Sequence, residues 1–305
     1  MKVSINEIKS FLNKEGFIFE YFGAECLVIE DYSPIQNVKP KSITWLVNID
    51  KYDILTIDHT LKSLIVVNKL PIINEISRYN FIVSEEPRIT YFEILNRFFP
   101  IQQQSSGVAP TAIVETMRIG HNVSIGHHCY ICGDVSIGDN VVIKHNVVIE
   151  CPTVIGNDCI IESGVVIGTF GYQYYKLHGN KIKKVSDFGG VILGNRVEVG
   201  ANTCIARGTL SDTVICDDVK IDNLCHIAHN VYIGKESSVI ALSMLAGSCR
   251  LEQGAYIAPG AMIKNQTSVG KNAFVGLGAV VVKDVEANKI VAGVPAKVLR
   301  NRDIE

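Results

Sequence analysis

Along residues 113–167 an isoleucine falls on every sixth position: 113, 119, 125, 131, 137, 143, 149, 155, 161 and 167. Four residues after most of them stands a small or β-branched residue, as at Val123, Cys129, Val135, Val141 and Val147, and the isoleucine is often followed by glycine. Neither the 3.6-residue period of a helix nor the two-residue period of a strand gives this rhythm. Each hexad supplies two inward residues, one large and one smaller, with turn chemistry between them. A fixed internal period of this kind marks a solenoid, and three hexads close one triangular coil of 18 residues.

The rhythm breaks after Ile167. The segment "GTFGYQYYKLHGNKIKKVSDFGG" (168–190) carries few hexad signals, and Leu193, Val199 and Ile205 resume the count. The step from 205 to 215 is ten residues, one hexad plus four extra, after which the period holds from Ile215 to Val281. About 25 hexads make roughly eight coils, which at a strand spacing of about 4.8 Å gives a prism about 40 Å tall.

Residues 1–100 lack the six-fold count. Ser4-Ile5-Asn6-Glu7 reads as a capping box that opens an amphipathic helix running to about Lys14. "SLIVVN" (63–68) and "NFIVSE" (80–85) read as strands and "ITYFEILNRFF" (89–99) as a helix. The predicted fold is therefore mainly β: a parallel β-helix of hexapeptide repeats over 111–285, with an inserted loop at 168–190, preceded by a small α/β domain over 1–100. "IQQQSSGVAP" supplies a linker over 101–110, and residues 286–305 form a C-terminal tail.

With 29 basic and 31 acidic residues the formal charge is −2, and no run of Lys and Arg suggests nucleic acid. The opening "MKVSINEIKSFLNKEG" has no apolar core of a secretory signal, and no 18-residue apolar run spans a membrane. Nine cysteines without an export signal fit reduced thiols in a cytoplasm, the expected location. Cys129 and Cys132 form a C-x-x-C without a second pair at zinc-site spacing, so they read as core thiols and no metal is expected.

No GxGxxG, GKS/T, GxSxG or HExxH motif occurs. Of the eight histidines, His229 in "KIDNLCHIAHNVYIG" (220–234) stands out, third in its hexad after Ile227 and Ala228. One coil further on, at residue 247, stands a glycine. Histidine beside a bare backbone N–H is what acyl transfer needs: the imidazole takes a proton from the attacking amine or hydroxyl, and the N–H holds the oxyanion. Asp222 or Asn223, on the preceding hexad, would orient the imidazole.

"KIDNLCHIAHNVYIG" closely resembles the UDP-3-O-acylglucosamine N-acyltransferases of the lipid A pathway. So do "ITWLVNIDKY" (43–52), "SEEPRITYFEIL" (84–95), "GTFGY" (168–172), "ARGTLSDT" (206–213) and "MLAGS" (244–248). The resemblance implies the left-handed sense of the β-helix, a homotrimer, and a nucleotide base held by the N-terminal domain. His229 matches that family's general base and Gly247 its oxyanion donor. Trp45, Asn48 and Tyr52 fall at its base-binding positions, with Tyr52 one residue late. Phe170 and Tyr172 match its sugar-facing loop, and Asn223 and Asn230 flank His229 on the acceptor side.

The departures redirect the donor. A second family histidine maps to Gln266, and Ala206 replaces an Asp of the family. The ending "GLGAVVVKDVEANKIVAGVPAKVLR" (276–300) resembles coenzyme-A-dependent sugar acetyltransferases, with Gly276, Lys297 and Arg300 placed for the acyl donor. Stopping at Glu305, the chain lacks the helical segment that helps the family receive acyl carrier protein. The expected activity is N-acyl transfer from acyl-CoA to a nucleotide-linked amino sugar, without a tightly bound cofactor. One alternative is the lipid A enzyme itself, using a hydroxyacyl carrier protein; another is a β-helix scaffold without chemistry.

Overall fold

The computed structural model describes residues 2–74, 76–100, 106–150, 152–179 and 181–302. The chain divides into two compact units, one ending at Gln103 and the other beginning at Gln104.

In the first unit, α1 (Ile5–Lys14) opens on the expected capping box: Glu7 N–H donates to Ser4 Oγ, and Ser4 N–H donates to Glu7 Oε2 at 2.8 Å. Its apolar face buries Ile5, Ile8 and Leu12. A five-stranded sheet runs in the order Phe19–Phe22, Asn80–Ser84, Leu64–Val67, Ser42–Trp45, Asp31–Tyr32, antiparallel only at its first pair. The second helix, α2 (Pro87–Phe98), starts two residues before the expected 89 because Pro87, with its φ preset, occupies the first turn. Strand alternation splits the apolar residues between the sheet's faces. Leu64 and Val66 join α1 and α2 in one cluster, while Ile65 and Val67 join Ile49, Ile54 and Phe81 in another.

The second unit is a parallel β-helix with three sheets of 11, 9 and 7 strands. Its register repeats the coil length: Ser124 pairs with Val142 and Val142 with Ile160, Tyr130 with Val148 and Val148 with Val166. The inward residues fuse into one core, with Ile125, Ile131, Ile143, Ile149, Ile161 and Ile167 all 0% exposed. The smaller inward sites take Val, Ala, Thr and cysteine. Burial raises the thiol pKa of Cys129, Cys159 and Cys225 and pushes that of Cys249 up to about 12. Turns between hexads place Asn, Asp and other residues at positive φ, among them Asn140, Asn146, Asp158 and Asn230.

Both ends depart from the hexad count. Ile113 is 61% exposed, and Val114 takes the inward place, because Ile131 pairs with Val114 rather than Ile113. The first hexad is one residue short, and the regular count enters at Ile119, which bridges to Ile137. Gly107–Val108, assigned above to the linker, already pairs with Ser124–Ile125; residues 101–105 lie outside the described residues. Beyond 285, Lys289–Ala292 adds a further parallel strand, with Val291 3% exposed, and Lys297–Asn301 folds back antiparallel upon it. The tail thus closes the end of the core, and the stack is taller than the eight coils expected.

The two interruptions leave the solenoid at the same corner, after the nine-stranded sheet. One follows Val166–Thr169 and rejoins at Val191–Leu193; the other follows Cys204–Ala206 and rejoins at Thr213–Ile215. They lengthen two successive coils without disturbing the ladder, so that Ile167 pairs with Ile205 and Ile205 with Ile227. The first carries a hairpin, Tyr174–Lys176 against Ile182–Lys184.

Candidate active site

His226–Ile227 is the next strand at that corner, and His229 follows it. The coil geometry therefore sets His229 directly beyond the two insertions, with Gly247 and Gln266 on the coils after it. Ser248 N–H donates to the His229 carbonyl at 2.9 Å, and Gln266 N–H donates to the Gly247 carbonyl at 3.0 Å. Gly247 lies flat against the imidazole: a methyl group built on it would sit 2.5 Å from Nε2 and 2.6 Å from Cε1. From the other side comes Gly171 of the long loop, where a methyl would lie 3.0–3.2 Å from three carbons of the His229 side chain. A methyl at 247 would force the ring to shift, whereas one at 171 would ask it to give by a few tenths of an ångström.

On the early coils of a neighbouring corner, a polar side chain stacked on the next coil takes up the corner N–H: His121 donates to Asp139 at 2.6 Å, Asp139 to Asn157 at 2.8 Å, Asn157 to Asn195 at 2.8 Å and Asn195 to Asp217 at 2.9 Å. Among the described residues the Gly247 N–H donates to no acceptor.

The insertions hold the imidazole's Nδ1. Asn230 Oδ1 lies 3.1 Å from it and the Gln173 side-chain amide 2.8 Å. Gln173 in turn reaches Thr209 Oγ1 at 2.7 Å, and Thr209 N–H donates to Asn230 Oδ1 at 3.1 Å, closing a ring of four residues. Asn230 Nδ2 donates to the Ser211 carbonyl at 2.8 Å, which has no proton to give, so the orientation of this amide is fixed. Asn230 sits at φ 58°, a left-handed position that asparagine tolerates. Gln173, Thr209, Gly171 and Ser211 were not singled out in the sequence. Stepping back by coils from 227 to 205 and 167 would have found them, since both insertions fall at the histidine's corner.

Phe170 and Tyr172 flank Gly171, so both belong to this corner. The half-exposed Phe170 ring has Lys184 Nζ 4.6 Å and Arg207 Cζ 5.6 Å from its centre. Tyr172 is 91% exposed, with its ring 5.0 Å from that of Tyr174. Gln266, at φ 58°, has an exposed side chain one coil beyond Gly247.

Other expected residues lie elsewhere. Asp222 does not orient His229. It follows Ile221, at the preceding corner a third of a coil away, and its carboxyl accepts the N–H groups of Asn223 at 2.7 Å and Ala241 at 3.2 Å. Asn223 is likewise engaged there, accepting Ala201 N–H at 2.6 Å. Gly276 follows Val275 of the 11-stranded sheet, and Lys297 and Arg300 belong to the strand that closes the core, so within one chain none of the three shares the His229 corner. In the first unit, Trp45 packs against Tyr91 and Phe92, with ring centres 6.1 Å away in both cases. Tyr52 sits in the cluster on the opposite face of the sheet and donates its hydroxyl to the Ile35 carbonyl at 2.9 Å. Asn48 Oδ1 accepts Asp50 N–H at 3.0 Å. One base cannot stack between Trp45 and Tyr52 in this arrangement.

Among the described residues no helix is long and apolar enough to cross a membrane, and no three His, Cys, Asp or Glu side chains gather as a metal cluster.

A family profile described as "Bacterial transferase hexapeptide (six repeats)" matches residues 116–151 and 136–169. UDP-3-O-acylglucosamine N-acyltransferase from Delftia acidovorans is 43% identical over 189 residues, 62% of this chain and 56% of that protein. A probable UDP-3-O-acylglucosamine N-acyltransferase from Arabidopsis thaliana is 40% identical over 44% of each chain. The solved UDP-N-acetylglucosamine acyltransferase of Francisella novicida superimposes with a TM-score of 0.57 at 26% identity, covering 64% of this chain and 69% of its own. The matched part of this chain spans about half the length of the first of these curated relatives. The chain is a hexapeptide-repeat β-helix protein, similar over 62% of its length to a UDP-3-O-acylglucosamine N-acyltransferase.

Proposed function

We propose that the protein transfers an acyl group from a thioester to the amino group of a UDP-linked amino sugar at the His229 corner. The carrying observation is the imidazole wedged between Gly171 and Gly247, beside a backbone N–H with no described acceptor. The names of the relatives support UDP-3-O-acylglucosamine as the acceptor. They thus favour the lipid A alternative over the acyl-CoA reading with an unspecified sugar.

The fixed Asn230 amide supports a base-competent tautomer. Its Oδ1 accepts the proton on Nδ1, which leaves a lone pair on Nε2, the nitrogen facing Gly247. Gln173 fits this tautomer when its amide is turned end for end, an orientation set by the hydrogen-bond network: its oxygen then accepts from both Nδ1–H and the Thr209 hydroxyl. Asn230 and Gln173 act as positioning residues, steering the ring with neutral oxygens in the place a carboxylate takes in a catalytic triad.

The step is a proton-coupled addition. As the amine forms its bond to the thioester carbon, Nε2 takes a proton from nitrogen, and the carbonyl electron pair moves onto oxygen. The Gly247 N–H donates to that oxyanion. Collapse re-forms the carbonyl and breaks the C–S bond, and the departing thiolate takes the proton from the imidazolium. Phe170, Tyr172 and Gln266 border the space for the acceptor; Trp45 is read as a platform for the base on one face only. Trimerisation belongs to the same reading, since solenoid faces gain from neighbours.

The test is chromatographic: UDP-3-O-acylglucosamine with an acyl carrier protein thioester or acyl-CoA, the product resolved by mass. N-acylated product from either donor, lost in His229→Ala, is expected, and the better donor identifies the carrier. Absence of product from both donors overturns the reading.

A further inference from the structure

Asp187 is used by nothing in the mechanism above, yet it lies within the same corner. It is 5% exposed. One carboxyl oxygen, Oδ2, accepts the N–H of Gly171 at 2.8 Å, and Gly171 is the residue pressed against the imidazole. The other oxygen, Oδ1, is buried without a hydrogen-bond partner among the described residues. Among the described residues no Lys or Arg nitrogen is paired with Asp187; Lys184 and Arg207 lie over the Phe170 ring instead. Buried carboxyl oxygens are ordinarily satisfied, and one that is not stands out.

The surrounding backbone holds this carboxyl in place. Phe188 N–H donates to the Thr209 carbonyl at 2.7 Å, Gly189 N–H to the Gly208 carbonyl at 3.0 Å, and Gly190 N–H to Asp212 Oδ1 at 2.7 Å. Arg207 Nε donates to the Gly189 carbonyl at 2.8 Å. The return limb of the long loop is thus pinned to the short loop, and the Gly171 N–H bond holds the Asp187 carboxyl within it.

We infer that Asp187 is a specificity residue for the acceptor: its buried Oδ1 receives a hydrogen bond from a hydroxyl or amino group of the sugar bound beside His229. The inference rests on the proposed sugar N-acyl transfer. It adds that the long loop reads the sugar rather than only packing around the histidine. A site built to accept a proton from the sugar discriminates against ligands lacking that donor, since the acceptor is otherwise left buried and unpaired.

Asp187→Asn is the informative variant. The amide keeps one oxygen for Gly171 N–H and replaces the other acceptor by a donor. Affinities for UDP-glucosamine and for UDP alone are measured by calorimetry on wild type and variant, with thermal melting as a check on folding. The expected result is an unchanged melting temperature, unchanged affinity for UDP, and affinity for UDP-glucosamine reduced by about 10- to 100-fold, the range for a hydrogen bond to a charged group. Asp187→Ala, which also frees the Gly171 N–H, should lower both the sugar affinity and the melting temperature. Equal affinity of Asp187→Asn and wild type for UDP-glucosamine overturns the inference, as does an equal loss for UDP and UDP-glucosamine, which marks loop damage. If wild type itself binds neither ligand, the proposed function falls first, a result visible before any substitution is made.

Discussion

Replacing Gly247 by alanine tests the site's geometry with a single methyl group. The glycine's φ lies outside the left-handed region, so alanine meets no backbone strain there. The added carbon would lie 2.5 Å from His229 Nε2, whereas ordinary contact begins at 3.4 Å. The ring must therefore retreat by about 0.9 Å, and a misplacement of this order costs about 10²-fold in rate. Retreat is opposed by Gly171 on the other face and by Gln173 and Asn230 on Nδ1. The backbone N–H survives the substitution, so a loss of rate reports the displaced imidazole and not a missing oxyanion donor. The expected fall in kcat is about 100-fold, or about 2.7 kcal/mol of barrier. Stability should change by less than about 2 kcal/mol, since overpacking is partly offset by the lower entropy of the unfolded chain. Steady-state kinetics with UDP-3-O-acylglucosamine beside thermal melting supplies both numbers. Turnover within twofold of wild type would refute the claim that the ring is held at its working position by Gly247. Gly171→Ala, which asks the ring to give only a few tenths of an ångström, should lose clearly less.

Other expectations follow from the same geometry. His229→Ala should lower kcat by about 10³-fold or more while nucleotide-sugar affinity persists; residual turnover near wild type would exclude the histidine as base. Gln173→Ala should lower kcat by about tenfold with little change in KM, and Gln173→Glu, which keeps an oxygen toward Nδ1, should restore part of it; a purely structural role would instead lower the melting temperature without this rescue. Among the described cysteines, a thiol reagent at pH 8 should modify exposed Cys26 quickly and leave Cys249, 1% exposed with its pKa near 12, untouched until unfolding. Ile227→Ala should destabilise the β-helix by about 2–5 kcal/mol in urea titration, because this fully buried side chain cannot be replaced by collapse of a hydrogen-bonded coil.

The β-helix was legible because each inward side chain answers to a local rule. A residue at a hexad's inward place is buried whatever the rest of the molecule does, and one coil length suffices to bring residue 247 against residue 229. Where the rule needed its starting phase, it slipped: Ile113 looks like the first member, but a hexad shortened by one residue gives the place to Val114. The orienting partner of His229 was expected at Asp222 or Asn223, whereas one partner, Asn230, is the next residue and the other, Gln173, arrives from an insertion dozens of residues away. Gln173 is 56 residues from the imidazole it touches, and no periodicity runs through the loop that carries it. The N-terminal aromatics show a third kind of failure. Trp45 and Tyr52 share a motif, yet the chain passes between faces of a sheet from one to the other, and packing rather than spacing decides where each ring lies.

The insertions at one corner have a further consequence. Each coil touches only the coils above and below, and the ladder runs through unbroken from Ile167 to Ile205 to Ile227. Loop length at that corner is therefore uncoupled from folding of the core. A descendant of this chain can lengthen, shorten or rewrite residues 170–190 and keep its histidine and glycine in register. Under the proposed function, a change of acceptor therefore needs no redesign of the scaffold, and that one segment is the part to exchange between related solenoids.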